Sequence, residues 1–192
     1  MRPASAPRIL VTGFGSFPGM PRNPTERLAA TLAAAPPPGV DVLRLDTHWS
    51  VVETLPPVAA RYGAVIMFGV AGRETMIRYE RIATCHAGPQ LDAAGGCAPP
   101  LTRTRFTAFD VPELVREARE AGFPVRLSHS AGTYVCNAGY GAALCGNPRA
   151  LFVHVPPTTA RGPLGDAGLV RHARWLIDTV MDELLPRTNR VL

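Results

Sequence analysis

Short apolar runs alternate with amphipathic stretches along this chain, and the alternation predicts strands and helices in turn. Ile9-Leu10-Val11-Thr12 is an apolar run that empties into Gly13-Phe14-Gly15-Ser16-Phe17, a strand entering a loop. Asn23-Pro24-Thr25-Glu26 reads as a helix start, with Asn23 as cap, Pro24 at the first helical position and Glu26 placed to reach back. Residues 28–35 carry that helix until Pro36-Pro37-Pro38-Gly39 stops it. Residues 40–45 form a second strand and 64–68 a third, the latter apolar throughout as a strand buried on both faces is. Residues 77–84 alternate well enough for another strand, which Arg78 and Arg81 place toward a sheet edge. Residues 88–104, with Gly95-Gly96 and Pro99-Pro100, read as a long loop of the kind that is usually functional or mobile. Asp110-Val111-Pro112-Glu113 opens a helix that Gly122 closes, and 134–144 predicts another. Residues 125–127 and 151–155 are further strands. The longest helix spans 166–185, with Leu169, Ala173, Leu176 or Ile177, and Val180 along one face and His172 on a solvated face beside Arg171 and Arg174. Strands alternating with helices, without internal repeats, predict an α/β fold: a largely parallel sheet covered by helices on both sides. In such sheets sites form outside the carboxyl ends of the strands, here the loops after Thr12, Thr47, Gly69, Ser130 and His154.

The composition narrows the function classes. A chain of 192 residues, 46% hydrophobic and 18% charged, fits one globular domain over 1–192. No apolar run approaches the ~20 residues that cross a bilayer, so no membrane partner is expected. All 20 basic residues are arginine, which excludes a P-loop, a pyridoxal Schiff base and a lysine nucleophile. The net charge of +5 is scattered, with Arg73, Arg78 and Arg81 interleaved with Glu74 and Glu80, so no nucleic-acid face is expected. Met1-Arg2-Pro3-Ala4-Ser5 leads into a strand-like run rather than a secretory h-region, which predicts a cytoplasmic protein with reduced thiols. Cys85, Cys97, Cys136 and Cys145 contain no CxxC, and Cys85-His86…Cys97 lacks zinc spacing, so no metal is expected. Gly13, Gly15 and Gly19 give GxGxxxG rather than the dinucleotide fingerprint, which leaves a nucleotide-binding oxidoreductase without its motif.

Ser128-His129-Ser130-Ala131-Gly132-Thr133-Tyr134-Val135-Cys136-Asn137 is the stretch richest in chemistry. A strand gives way to a small-residue turn and then to Cys136 at a helix start, where free N–H groups favour a thiolate and can receive an oxyanion. The alternative is a small buried hydrophobe. A nucleophilic thiol needs a base, and the candidates are His48, His86, His129, His154 and His172. His154 stands at the carboxyl end of an apolar strand, where a site is expected, although a satisfied core histidine fits there too. Glu80 could orient such an imidazole or could pair at the surface with Arg78 or Arg81.

Taken together, Val11-Thr12-Gly13-Phe14 with Phe17, Asn23-Pro24-Thr25, Glu80-Arg81-Ile82-Ala83, Ser130 through Asn137, and Phe152-Val153-His154-Val155-Pro156 resemble the pyroglutamyl-peptidase family of cysteine peptidases. The resemblance runs in order from about Arg8 to Pro156 and places Glu80, Cys136 and His154 at the family's catalytic positions. It implies a three-layer α/β/α sandwich around a twisted, largely parallel sheet. It also implies removal of an N-terminal pyroglutamyl residue from peptides through an acyl-thioester, without metal or organic cofactor. The substrate ring is a neutral lactam without a free amine, so its pocket is expected to be apolar and free of carboxylates. By the resemblance Phe14 and Phe17 sandwich the ring, Thr47, Tyr134 and Val135 complete the wall, and backbone near Val70 bonds the lactam. Leu91 contributes from the loop after the glutamate. There Pro89-Gln90-Leu91-Asp92-Ala93-Ala94 replaces a family run that begins with arginine. The segment between Cys136 and His154 is short, and Pro157-Thr158-Thr159 departs from the family pattern beyond it. Family members assemble as dimers or tetramers, so a homo-oligomer is expected. The alternatives are a thiol amidohydrolase of the same fold acting on another small cyclic or acyl-amide substrate, or a silent homologue that binds without turnover.

Overall fold

Eight strands and five helices account for the regular structure of residues 7–157 and 164–185, the part of the chain that the computed structural model describes. Met1–Ser5, Thr158 and Thr159 lie outside the described residues. In chain order the elements are β1 (Ile9–Phe14), α1 (Pro24–Ala34), β2 (Val40–Leu45), α2 (Val51–Ala59), β3 (Ala64–Val70), β4 (Ile77–Glu80), β5 (Ile82–Ala83) and β6 (Arg105–Phe106). They continue with α3 (Val111–Glu120), β7 (Val125–Ser128), α4 (Val135–Gly146), β8 (Ala150–Val155) and α5 (Asp166–Leu184).

Six strands make one sheet in the order β2-β1-β3-β8-β4-β7, while β5 and β6 pair separately. β1, β2, β3 and β8 run parallel, and β4 and β7 run against them, since β4 is antiparallel to β8 and parallel to β7. The apolar runs of β1, β3 and β8 are buried along their whole length, as central strands covered on both faces must be. Side-chain alternation sends Ile9, Val11, Ile66, Phe68, Ile77, Tyr79, Leu151 and Val153 toward α1, α3 and α5. It sends Leu10, Phe14, Val65, Met67, Ala150 and Phe152 toward α2 and α4. The result is the expected three-layer α/β/α arrangement.

Three local expectations are corrected. The stretch 77–84 is not one strand, although its first half does lie near an edge, with only β7 outside it. β4 lies inside the sheet between β8 and β7, and the chain turns at Arg81 so that β5 leaves to pair with β6. The arginine in β4 is accommodated because the buried Glu80 and the half-buried Glu74 receive it, a tertiary fact that local polarity does not encode. The helix α2 is not evident in the sequence, because Pro56 and Pro57 sit inside it. Val51, Leu55 and Ala59 nonetheless recur at i, i+4 and i+8, and their burial holds the helix in spite of the two missing donors.

The third correction concerns His172, which is not solvated. It is wholly buried in α5, packed edge-on against Phe68 and Phe123, with Nε2 2.8 Å from the Tyr79 hydroxyl. Burial lowers the imidazole to about 3. The unfolded chain takes up a proton here below its ordinary value near 6.5, whereas the folded chain does not until about 3. His172 therefore contributes stability in full above ~6.5 and loses it as pH falls through that window, by roughly 1.4 kcal/mol per pH unit. Urea unfolding of the parent and of His172→Gln at pH 7 and pH 5 checks this. The parent should lose about 2 kcal/mol more than the variant between the two conditions.

Candidate active site

Cys136 and His154 share a cavity of about 100 Å³ whose other lining residues are Phe14, Phe17, Asn23, Thr47, Val70, Ala131, Gly132, Thr133 and Tyr134. Its members come from the ends of β1, β3 and β8, from the segment after β2 and from the loop into α4. β7 runs against β8, so the loop after Ser128 returns to the cavity, turning at Gly132, whose φ of +84° suits glycine. None of the lining residues is acidic.

Each wall has an identifiable support. Phe14 closes β1 and is buried against Phe152, with ring centroids 6.3 Å apart. Phe17 stands on a tight turn, where Met20 N–H donates to its carbonyl at 2.8 Å, and its ring lies 6.0 Å from that of Tyr134. The Asn23 amide donates to Gly15 O at 2.9 Å, while its carbonyl accepts the Thr25 amide at 3.0 Å, so the residue read as a helix cap also lines the cavity. Thr47 donates its hydroxyl to Gly15 O at 3.1 Å. Tyr134 packs on Trp49 and donates to Leu91 O at 3.0 Å.

The 88–104 loop is pinned by Asp92. Its buried carboxylate accepts the amides of Trp49 at 2.9 Å, Ala94 at 3.0 Å and Gly96 at 2.7 Å, which hold its pKa below the ordinary carboxylate value. Two expected pocket residues do not line the cavity. Leu91 is 56% exposed and touches the site through its carbonyl alone, and Val135 is fully buried in the core between the sheet and α2 and α4. A residue's neighbour in a motif can face the opposite way on a helix, and Val135 does so beside Cys136.

The candidate reacting groups come from two strands, β4 and β8, and one helix, α4. Tyr134 caps α4 with no side-chain bond and its carbonyl takes the Asn137 and Ala138 amides, so the amides left for a ligand beside the partly buried Cys136 thiol are those of Val135 and Cys136. Burial pushes that thiol up to about 12 and the Glu80 charge adds to the rise, while its own amide and Arg78 act in the other direction. Alternation puts Arg78 and Glu80 on the same face of β4 as Phe152 and His154 on β8, where Arg78 pairs with His154 and Glu80 with Phe152. Glu80 reaches diagonally from there, and its Oε1 lies 2.8 Å from His154 Nδ1. Glu80 is wholly buried and His154 nearly so. Burial lowers the His154 imidazole, Glu80 opposes that, and Arg78 lowers it further. A neutral imidazole and a neutral thiol on one cavity are the resting state that these shifts describe. Glu80 is thus not in the surface pair that its flanking arginines allowed.

Arg78 stands at the site although the sequence pattern did not single it out. Its Nη2 lies 2.9 Å from Glu80 Oε1 and 3.2 Å from His154 Nδ1. A second cavity of about 130 Å³ between α2, α4 and residues 101–105 holds Cys145, Arg103 and Arg105 but no histidine to activate the thiol. Among the described residues no group of His, Cys, Asp and Glu is placed to hold a metal, no disulfide forms, and no helix is long and apolar enough to cross a membrane.

Comparison with known proteins agrees with this geometry. The sequence profile of the pyroglutamyl peptidase family matches residues 7–158. The pyrrolidone-carboxylate peptidase of Streptomyces coelicolor is 32% identical over 178 residues, covering 83% of this chain and 82% of the relative. That of Thermococcus kodakarensis is 32% identical over 167 residues, covering 78% and 81%. The crystal structure of the Pyrococcus furiosus pyrrolidone carboxyl peptidase superposes with a TM-score of 0.80 at 25% identity, covering 93% of this chain and all of that one.

Proposed function

This chain belongs to the pyroglutamyl peptidase family, and from that premise we propose that it removes N-terminal pyroglutamyl residues from peptides with Cys136 as nucleophile, His154 as general base and Glu80 as the group that orients the imidazole. The observation that carries the assignment is a thiol and a carboxylate-bound imidazole on one small, uncharged cavity. About 100 Å³ suits a single small ring and is far below the ~300 Å³ at which drug-sized sites begin. A lining without carboxylates offers nothing to the charged amine of an ordinary N-terminus and accepts a lactam instead.

With Nδ1 held by Glu80, the lone pair of His154 Nε2 is left for the thiol. His154 takes the Cys136 proton as sulfur attacks the pyroglutamyl carbonyl, a transfer that a thiol with a constant near 12 requires at neutral pH. The free amides at the start of α4 receive the oxyanion. Protonated His154 gives its proton to the departing amine, and the freed imidazole then draws a proton from the water that hydrolyses the acyl-thioester.

Release of a fluorophore from a pyroglutamyl-amide tests this, run beside prolyl and glutaminyl amides. Turnover of the pyroglutamyl compound alone is expected, with Cys136→Ser lowering it by roughly 10³-fold or more. Turnover of another amide in its place would assign the cavity to a different acyl group, the thiol amidohydrolase reading.

A further inference from the structure

Arg78 has no part in the mechanism so far, yet its guanidinium lies 3.2 Å from the base and 2.9 Å from the carboxylate that orients it. Its side chain is 16% exposed, and it comes from the strand position directly opposite His154. One nitrogen, Nη2, faces Glu80 Oε1, and the other, Nη1, reaches Glu74 Oε1 at 3.0 Å. Glu74 in turn accepts Arg126 Nη2 at 2.9 Å. Charges therefore alternate from the surface inward, Arg126, Glu74, Arg78 and Glu80, and the series ends on the His154 ring.

We propose that Arg78 is a positioning residue whose guanidinium supplies the counter-charge that holds the Glu80 carboxylate on His154 Nδ1, and so sets the pH at which the imidazole acts as a base. The inference rests on the assignment of His154 as that base. Glu80 has no solvent to share its charge with, and its second oxygen, Oε2, is without a partner among the described residues. Both of its close contacts therefore fall on Oε1, and only one of them is permanently charged. A buried carboxylate facing a neutral imidazole alone is a poor arrangement, because the burial cost is unopposed by a cation. The pair would recover by binding a proton, on oxygen or on nitrogen, and either location removes the free base. Arg78 disfavours that proton wherever it sits, since it is repelled by a cation about 3 Å away.

The charged and titratable groups around the pair are few. Glu74 comes from the turn before β4, Arg126 from β7, and Cys136 and Tyr140 from α4, the Tyr140 hydroxyl donating to the Glu80 carbonyl at 2.8 Å. Of these, Glu74 and Arg126 largely answer each other, which leaves Arg78 as the cation in contact with the pair.

Two pH titrations of Arg78→Met and Arg78→Lys in the full chain test the proposal. One follows kcat/KM on a pyroglutamyl-amide, and the other follows the Cε1–H resonance of His154 without substrate. Arg78→Met should move the acid limb and the resonance midpoint to higher pH by about one unit. Arg78→Lys, which keeps the charge, should fall between variant and parent. A merely structural arginine predicts a rate lowered equally at every pH with an unmoved midpoint, and that result overturns the proposal. A shifted resonance in a protein that leaves pyroglutamyl-amides intact supports Arg78 while rejecting the substrate. Should Arg78→Met fail to fold, Glu74→Gln decides. With its outer carboxylate gone, Arg78 bears wholly on Glu80, and the midpoint should move to lower pH; an unmoved midpoint overturns the proposal.

Discussion

Glu80→Gln is expected to lower kcat on a pyroglutamyl-amide by roughly 10³- to 10⁴-fold while leaving KM within a few-fold of the parent, the scale seen when the carboxylate of a catalytic triad becomes an amide. The side chains are isosteric, so the effect is electronic. A glutamine can turn its NH₂ toward His154 Nδ1, which then accepts, and the ring proton moves to Nε2, where the lone pair is needed for the thiol. Nor can an amide offset the positive charge that the imidazole gains in the transition state. KM stays because Glu80 is wholly buried and does not line the cavity, so substrate never touches it. The same change leaves Arg78 with Glu74 as its one carboxylate partner, and a fall in melting temperature should accompany the loss of rate. Steady-state kinetics on protein shown by circular dichroism to be folded decide the matter. A folded variant with kcat within tenfold of the parent removes Glu80 from the mechanism.

The second large effect concerns a residue with no side chain. Gly69 is next to last in β3 and lies opposite His154 in the sheet. A Cβ on it would stand 2.6 Å from Phe152 Cζ and 3.0 Å from Cys136 Sγ. Phe152 has nowhere to retreat, since its ring is packed among those of Phe14, Tyr140 and His154 at centroid distances of 6.3, 5.7 and 4.7 Å. Gly69→Ala should therefore cost about 1–3 kcal/mol of stability through overpacking. The thiol is the softer neighbour and will be displaced within the cavity it shares with His154, which should reduce kcat/KM by roughly 10²-fold. Thermal unfolding and kinetics on one preparation measure both effects. Parent-like values for the two together would mean that Cys136 does not rest against β3.

Much of this protein is determined locally and was therefore legible in its sequence. The apolar runs at β1, β3 and β8 announce buried parallel strands, because a strand covered on both faces must be apolar along most of its length. Asn23 before Pro24 marks the start of α1 through bonds that span two residues. The blocks around Glu80, Cys136 and His154 pointed to a thiol peptidase before any partner was visible, since each keeps its own local setting. Other features depend on what lies across the sheet. Arg78 and Glu80 looked like edge charges because polarity along one strand says nothing about the strand beside it. Only the antiparallel register of β4 on β8 sets Arg78 against His154 and puts the carboxylate within 2.8 Å of the ring. His172 looked solvated beside two arginines for the same reason: the aromatic rings that enclose it come from β3, β4 and the segment before β7. Helix α2 survives two prolines because its buried face outweighs the donors they lack. Residue types and local pattern left Cys136, His154 and Glu80 open between chemistry and ordinary structural parts, the family resemblance singled them out, and the contacts that join Glu80 to His154 and Arg78 arise between segments far apart in the chain.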